Sequence, residues 1–313
     1  LPEKPSIAVL PFDNLSGDPD QDYLADGITE NIITALSKIP EMFVIARNSV
    51  FTYKGKPIKV QKVAEDLGIR YVLEGSIQKA SNRIRITGQL IDATTGHHLW
   101  AEQYDRVLED LFAVQDEITL AIVSSLQVKL TDGEQARLRH RSTNNLQAWS
   151  HAVKGYSFYE RITKDDNAKA RELFEKAVQL DPDYAWAWTM LGSIYFIDTR
   201  YGWHRPREES FKKLVECMQK SMELDPSDPD IHCLRGQYYS WQKEHDKAIA
   251  AGEKSIVLGP NNAENHAELG MFYRHAGRFE DSIRVSEKAI RLHPYYPDWY
   301  LYNLEYSYYY LGQ

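Results

Sequence analysis

A 34-residue period is the feature of this sequence that most limits what it can fold into. Gly236 and Gly270 are separated by this interval, and so are Pro260 and Pro294. Repetition at this length indicates stacked pairs of helices, because each pair has an apolar face that only a neighbouring pair can cover. We therefore predict that residues 229–296 form two helical hairpins of an extended array that offers a binding surface.

Further copies of the pattern extend the array in both directions. Leu191, Gly192 and Tyr195 repeat the spacing of an apolar residue, a glycine and an aromatic residue on the first helix of a hairpin. This arrangement resembles the tetratricopeptide repeat, although Arg235 stands where that family usually has Leu. The resemblance predicts an all-α solenoid over residues 146–313, with about four hairpins and a terminal helix that lacks its second helix.

One interval in the array is longer than the others. Pro182 and Pro226 are 44 residues apart, and the pattern around Tyr195 stays in register. We therefore predict that the extra residues lengthen the turn at 198–207, since the entropy of closing a loop grows slowly with its length. Either this loop contacts a partner or its side chains pack back on the array. The side chains concerned are Tyr201, Trp203 and Arg205.

The first 130 residues follow a different plan. A continuous apolar run at 7–12 predicts a buried strand, and apolar residues at helical spacing over 23–40 predict a helix. Gly68 ends a second, short helix, where a left-handed residue is favoured. Alternating polar and apolar residues over 71–100 then predict three antiparallel strands. The expected order is β-α-β-α-β-β-β-α, an α/β domain with a mixed sheet over residues 1–130.

Several stretches of this domain resemble the TolB-like amino-terminal domain of multidomain bacterial regulators. They include IAVLPFDNLSGDPDQDYLADGITENIITAL, VIARNSVFTYKG, YVLEGSI, RIRITGQLIDATTGHHLWAEQYDR and LFAVQDEIT, within residues 6–125. In that family the domain follows a class III adenylate or guanylate cyclase catalytic domain, or a winged-helix DNA-binding domain, and precedes tetratricopeptide repeats. The opening LPEKPSIAVLPF resembles the linker that leaves a cyclase catalytic domain. The resemblance transfers no catalytic residue.

Residues 131–145 are predicted to form a linker, because the apolar period stops there. A small basic cluster lies within it. A solvated helix end or linker explains the cluster, and a phosphate contact is the alternative. Its members are Arg137, Arg139, His140 and Arg141.

Composition narrows the possible functions. The formal charge of −8 over 313 residues argues against nucleic-acid binding as the main role of this region. The sequence lacks an apolar run of about 18 residues, so we expect no membrane span. Cys217 and Cys233 are too few for a disulfide framework and are typical of a reducing compartment, which predicts buried free thiols and a cytoplasmic location.

The sequence contains no recognisable motif for catalysis, and we predict no catalytic residue, cofactor or metal site. The adjacent pair His97 and His98 would point to opposite faces of a strand. Asp18, Asp20 and Asp22 alternate as calcium ligands can, but the glycine and glutamate of an EF-hand are not in place. We expect a structural hairpin at the first position and an acidic loop at the second.

First helices of tetratricopeptide units line the concave side of the array, and the corresponding side chains here are mostly aromatic. Such side chains favour recognition of an apolar or proline-rich peptide, or of another helix, while packing in the core is the alternative. The predicted groove consists of Trp149, Tyr156, Tyr159, Trp186, Phe196, Gln237, Trp241, Met271, Arg274, Trp299, Tyr302, Tyr306 and Tyr309.

These features together predict a non-catalytic regulatory and protein-interaction region of a bacterial signalling protein. The resemblance favours an adenylate cyclase, and a winged-helix transcriptional regulator is the alternative. An enzyme in its own right would be a third class, for which the sequence offers no active site. We expect the array to bind a protein or peptide partner, or the second copy of a homodimer.

Overall fold

The computed structural model describes residues 2–131, 134–135, 143–204 and 206–312. Contacts between Cα atoms divide the chain into two compact units. The first unit consists of Leu1–His140, Gly259–Glu264 and Ser286–Tyr302, and the second of Arg141–Leu258, Asn265–Val285 and Asn303–Gln313. Most of the predicted linker, including the basic residues Arg137, Arg139, His140 and Arg141, lies outside the described residues, as does Arg205.

The first unit is built on one mixed sheet. Its strands are β1 (Ser6–Val9), β2 (Asp13–Asn14), β3 (Phe43–Val44), β4 (Tyr71–Ala80), β5 (Arg83–Asp92) and β6 (His97–Val107). Strand β1 pairs in parallel with β3 and β4, and β2 pairs in parallel with β4. Strands β4, β5 and β6 form an antiparallel meander. The main path across the sheet is β3-β1-β4-β5-β6.

Four helices accompany this sheet. Helix α1 is amphipathic, with Leu24, Ile28, Ile32 and Leu36 buried along one stripe. Helix α4 packs against α1, β5 and β6. The two-residue strand β2 and the five-residue helix α2 are absent from the predicted order, because elements this short leave no period in the sequence. The helices are α1 (Asp22–Ser37), α2 (Arg47–Phe51), α3 (Val60–Leu67) and α4 (Leu111–Ser125).

Residues 259–264 join the first unit through hydrogen bonds to the end of α1. The Asn261 amide donates to the Ser37 carbonyl at 3.2 Å, and Asn261 Nδ2 donates to the Ile39 carbonyl at 2.9 Å. Asn261 is 2% exposed. Its side chain therefore gives a second hydrogen bond to a carbonyl that also accepts from the Met42 amide at 3.3 Å.

Residues 286–302 join the same unit at a second place. The Ala46 amide donates to the Leu292 carbonyl at 2.8 Å, and the hydroxyls of Tyr53 and Tyr295 lie 3.0 Å apart. The two tyrosine rings also meet edge to face. A turn that the repeat pattern assigns to the helical array is thus an integral part of the α/β unit.

Nine helices between 146 and 310, all within the described residues, make up the repeat region, and α11, α12 and α13 contribute residues to both units. Consecutive helices pack as hairpins in the pairs α5/α6, α7/α8 and α9/α10. The helices are α5 (Leu146–Tyr159), α6 (Lys164–Leu180), α7 (Ala185–Tyr201), α8 (Arg207–Leu224), α9 (Pro229–Trp241), α10 (His245–Leu258), α11 (Ala263–His275), α12 (Phe279–Leu292) and α13 (Trp299–Tyr310). The prediction of a mixed-sheet region followed by a helical repeat array is confirmed.

The long interval in the array lies mainly in helix, so the predicted long loop is wrong. Helices α7 and α8 have 17 and 18 residues, whereas α9 and α10 have 13 and 14. The connecting segments differ less, being 202–206 in one hairpin and 242–244 in the next. Asp198 and Thr199 are buried in the added turn of α7, where tertiary contacts hold the helix beyond its usual end.

A left-handed residue follows the end of each of the helices α5, α7, α9, α11 and α13 within three positions, where the chain turns. Three of these residues are glycines, but Ile162 (φ 47°) and Lys243 (φ 63°) carry side chains. A β-branched side chain is strained in this conformation because its Cβ crowds the backbone. The glycines are Gly202, Gly277 and Gly312.

Replacing Ile162 by Gly is expected to stabilise the protein by about 1 kcal/mol, because the strain of the left-handed backbone is removed. The side chain is 52% exposed, so little buried apolar contact is lost. The midpoint of urea unfolding measures the effect, and Ile162→Ala, which keeps the Cβ, serves as the control. A midpoint for the Gly variant at or below that of the parent protein would contradict the assignment of strain.

Candidate functional site

Residues of the second unit from α9, the turn after it, the start of α10, α11 and α13 surround one pocket of about 620 Å³. The repeat places these segments side by side, because corresponding positions recur every 34 residues. Ser240 and Arg274 are such a pair, and so are Trp241 and His275. We call this site the basic-aromatic pocket. It is lined by Ser240, Trp241, Lys243, His245, Arg274, His275 and Tyr306.

Exposed aromatic rings form part of the pocket. Trp241 and Tyr306 are each 43% exposed. Phe196 of α7 lies edge-on to Trp241, with ring centroids 6.1 Å apart and an interplanar angle of 83°, and thereby fixes the indole ring. Rigid rings of this size provide much contact area at little cost in side-chain entropy, which suits them to recognition.

Arg274 is held in place by α13. Its Nε donates to Asn303 Oδ1 at 3.2 Å, and Asn303 Nδ2 donates to the Ala267 carbonyl at 2.9 Å. The guanidinium carbon lies 5.1 Å from the centroid of the Tyr306 ring. Asn303 is 1% exposed, so one end of this contact is buried, and the contact orients the guanidinium.

The charge on Arg274 has no acidic partner within the described part of the chain. Burial lowers the pKa of its guanidinium, although the group remains protonated at neutral pH. Lys243 adds a second positive charge to the lining, which contains no carboxylate. A cation that is partly removed from water and not neutralised attracts an anion. The pocket is therefore positive although the whole chain is acidic.

His275 is a neutral donor and acceptor in the pocket rather than a further charge. Burial, followed by the positive charge of Arg274, lowers the pKa of His275 to about 4. His275 Nδ1 lies 3.1 Å from the Ser240 hydroxyl. At neutral pH this pair can hydrogen-bond to a peptide but adds no charge.

The structure brings four of the predicted groove residues together at this pocket: Phe196, Trp241, Arg274 and Tyr306. Sequence reasoning missed four residues of the lining, although two of them occupy the repeat positions of predicted residues. Of the other two, one lies in the turn between α9 and α10 and the other is the first residue of α10, and the period does not define the direction of either side chain. The missed residues are Ser240, Lys243, His245 and His275.

A second group of predicted residues lies near the start of the array. Tyr156 contacts both Tyr159, at 6.0 Å between ring centroids, and Trp186, at 5.7 Å. All three are only partly buried and pack on the core of the second unit. Trp149, by contrast, is 2% exposed, so its ring is not accessible to a partner.

The remaining predicted residues are dispersed. Gln237 hydrogen-bonds to Glu268, and Met271 packs on a core cluster of the second unit. Tyr309 is 76% exposed in that unit. Trp299 and Tyr302 belong to the first unit, where Tyr302 is 67% exposed.

The other motifs considered above have structural roles. Asp18 caps the short turn Pro19–Gln21 by accepting a hydrogen bond from the Asp20 amide at 3.0 Å. Cys217 and Cys233 are free and buried. Among the described residues, no group of three or more His, Cys, Asp or Glu side chains is arranged to hold a metal ion. Within the same residues, no helix has the length and apolar character needed to cross a membrane.

Comparison with family models supports both parts of the chain. Residues 3–121 match the second domain of HilA/YgeH-like transcriptional regulators. Residues 159–184 and 173–203 match tetratricopeptide repeats.

Comparison with individual proteins gives a long sequence match and weaker structural ones. The chain is 47% identical over 248 residues to "Putative adenylate cyclase 3" of Rhizobium meliloti (strain 1021), a match over 79% of this chain that spans 42% of the relative's length. A tetratricopeptide protein of Thermus thermophilus, TTC0263, is 18% identical, with a TM-score of 0.41 over 63% of this chain and 93% of that chain. TolB of Acinetobacter baumannii is also 18% identical, with a TM-score of 0.31 over 42% and 30%. The sequence matches show a HilA-like domain followed by tetratricopeptide repeats, a protein-interaction region.

Proposed function

We propose that this chain is the non-catalytic regulatory and protein-interaction region of a bacterial signalling protein, and that the basic-aromatic pocket binds its partner. The observation that carries the proposal is the half-buried Arg274, held by Asn303 beside the exposed rings of Trp241 and Tyr306 without a carboxylate partner in the described chain. The pocket suits recognition, because it presents cations and aromatic faces. The Ser240 hydroxyl does contact His275, but the second ring nitrogen of His275 lies 3.3 Å from Arg274 rather than beside a carboxylate.

The chemistry of the pocket selects the partner. An acidic side chain or carboxylate can accept hydrogen bonds from Arg274, and an adjacent apolar or aromatic residue can pack on Trp241. We therefore propose an acidic, aromatic-containing peptide segment of a partner protein. A second copy of this chain is a further candidate, since the chain itself is acidic.

For the whole protein, we propose an adenylate cyclase in which the state of the array passes through the first unit to a catalytic domain. The 47% identity to the Rhizobium relative supports this context. The match of residues 3–121 to HilA/YgeH-like regulators favours the second candidate, a transcriptional regulator with a winged-helix output domain. For both candidates we propose domains at 1–130 and 146–313 joined by a linker at 131–145. We also propose that the protein is cytoplasmic and that this region does not bind nucleic acid.

Replacing Trp241 and Tyr306 by Ala is expected to reduce peptide binding about 100-fold or more, because exposed aromatic anchors each contribute about 2 kcal/mol at such sites. The probe is an array of peptides that contain an aromatic residue, synthesised in pairs with Asp and Glu or with Asn and Gln. Fluorescence anisotropy gives the affinity of the best pair. Arg274→Gln is expected to abolish the preference for the acidic member of each pair.

Tyr201→Ala is the matched control, since Tyr201 is 50% exposed but does not line the pocket. Circular dichroism verifies that each variant is folded. Equal binding by the double variant and the control would refute the pocket as the binding site. Retained acid preference in Arg274→Gln would refute the proposed partner chemistry.

The activity proposed for the whole protein is tested with the natural full-length gene. An adenylate cyclase raises cAMP in a cyclase-deficient host, whereas a winged-helix regulator instead changes the transcription of bound promoters. The isolated chain of 313 residues is expected to turn over no nucleotide in either case. Measured cAMP formation by the isolated chain would contradict its non-catalytic assignment.

A further inference from the structure

Two cationic residues lie against Phe43 in the first unit, and the charge of a third, Lys4, acts on one of them. Lys288 Nζ lies 4.9 Å from the centroid of the Phe43 ring, and the Arg291 guanidinium carbon lies 5.5 Å from it. Lys4 approaches from the segment before β1, where its Nζ donates to the Pro40 carbonyl at 2.9 Å. These residues therefore come from both ends of the sequence and are joined only by the fold.

The backbone fixes this arrangement. The Phe43 amide donates to the Pro5 carbonyl at 2.9 Å, which holds the residue after Lys4 against β3. The Phe43 side chain is 6% exposed, and its ring is the apolar surface against which Lys288 and Arg291 lie. Lys288 is itself half-buried, so its ammonium group has lost part of its hydration.

The cluster is not neutralised by the protein. Burial, and then the positive charges of Arg291 and Lys4, lower the pKa of Lys288. Within the described residues, none of the three cations makes an ion pair with a carboxylate. Other cations of the same unit do, as Arg70 with Asp92 shows at 2.7 Å. Uncompensated positive charge is therefore concentrated here in a chain of net charge −8.

We propose that Lys4, Lys288 and Arg291 form a binding site for the phosphate group of a small soluble molecule. Three positive charges match the charge of about −2 on a phosphate group better than that of a single carboxylate. The planar guanidinium can donate two parallel hydrogen bonds to phosphate oxygens, and the two ammonium groups supply point charges. An arriving phosphate would relieve the mutual repulsion that the unliganded cluster carries.

The test is isothermal titration of the full chain with inorganic phosphate and with pyrophosphate at constant ionic strength. Saturable binding is expected, and it should be at least about tenfold weaker in a Lys288→Gln/Arg291→Gln variant, because charged hydrogen bonds are removed. Lys56→Gln/Lys59→Gln removes the same charge from exposed sites of this unit and is expected to leave the affinity unchanged. Lys4→Gln, on an exposed segment, tests the site without disturbing buried packing and should weaken binding severalfold.

A second experiment tests whether the bound phosphate belongs to a soluble molecule or to a lipid head group. Vesicles of phosphatidylcholine containing phosphatidic acid are expected to bind the chain no better than vesicles of phosphatidylcholine alone. Binding to the acidic vesicles without binding of inorganic phosphate or pyrophosphate would overturn the soluble ligand. Absence of saturable phosphate binding, or an equal loss in the Lys56→Gln/Lys59→Gln control, would overturn the site.

Discussion

Replacing Asp198 by Ala is expected to lower the free energy of unfolding of the second unit by about 3–5 kcal/mol, the cost of removing one partner from a buried ion pair. Asp198 is 1% exposed at the end of α7. Its carboxylate pairs with the guanidinium of Arg171 on α6 and accepts a hydrogen bond from Asn167 Nδ2 at 2.8 Å. Without the carboxylate, the largely buried guanidinium and amide lose their acceptor.

The expected loss arises from the unpaired partner rather than from the absent bond, and a double variant separates these effects. Arg171→Met combined with Asp198→Leu removes both charges and fills similar volume, so most of the stability should return. Urea unfolding followed by circular dichroism gives the global effect. Hydrogen exchange of α6 and α7 amides locates it, since repeat arrays unfold in parts.

The surface pair Lys212 and Glu216 supplies the matched control for the Asp198 variant. Their side chains are 79% and 59% exposed, and exposed pairs contribute little because water screens them. Glu216→Ala should therefore change the unfolding free energy by less than about 1 kcal/mol. A loss in Asp198→Ala as small as that of this control would show that the buried pair does not hold the extended end of α7.

The helical hairpins could be predicted from the sequence because their signals are local. A glycine, an aromatic residue and a proline recur at 34-residue spacing, and each marks a helix packing site or a helix end within one hairpin. The stripe of apolar residues in α1 and the left-handed Gly68 after α3 are similarly local. Short elements such as β2 could not be predicted in this way, since two residues cannot display a period.

The length of α7 could not be predicted because its cause lies in another helix. Asp198 is polar and follows an apolar run, so propensity alone favours a turn there. Its partners Asn167 and Arg171 lie 31 and 27 residues earlier, on α6. Tertiary pairing thus overrides a local signal and keeps the residue in helix.

The lining of the basic-aromatic pocket could be predicted only in part, because some of its residues lie outside the first helices of the repeats. The repeat places Trp241, Arg274 and Tyr306 on first helices, which defines where their side chains emerge. Lys243 lies in the turn that follows, and a left-handed residue with a side chain is not signalled by the pattern. Outside the pocket, the hydrogen bond from Asn261 to Ile39 could not be predicted either, because these residues are 222 positions apart and a repeat period carries no information over that separation.

Replacing Phe272 by Ala is expected to lower the unfolding free energy by about 3–5 kcal/mol, because a fully buried ring is lost and a cavity remains. Phe272 is 0% exposed and fits against two glycines of the neighbouring hairpin. A Cβ on Gly236 would lie 2.4 Å from the Phe272 ring, and one on Gly252 would lie 2.9 Å from it. The glycines therefore create the space that the ring fills.

This fit predicts a size compensation that a loosely packed ring would not show. Gly236→Ala alone should cost about 1–3 kcal/mol through overpacking, whereas combining it with Phe272→Leu should cost less than the sum of the single changes. Phe279→Ala serves as the control, because Phe279 is partly exposed and stacks on Tyr310. Urea unfolding of the four variants and the parent gives the coupling energy. Strict additivity would show that the ring does not rest on Gly236, and the glycine in the repeat would then need another explanation than contact between hairpins.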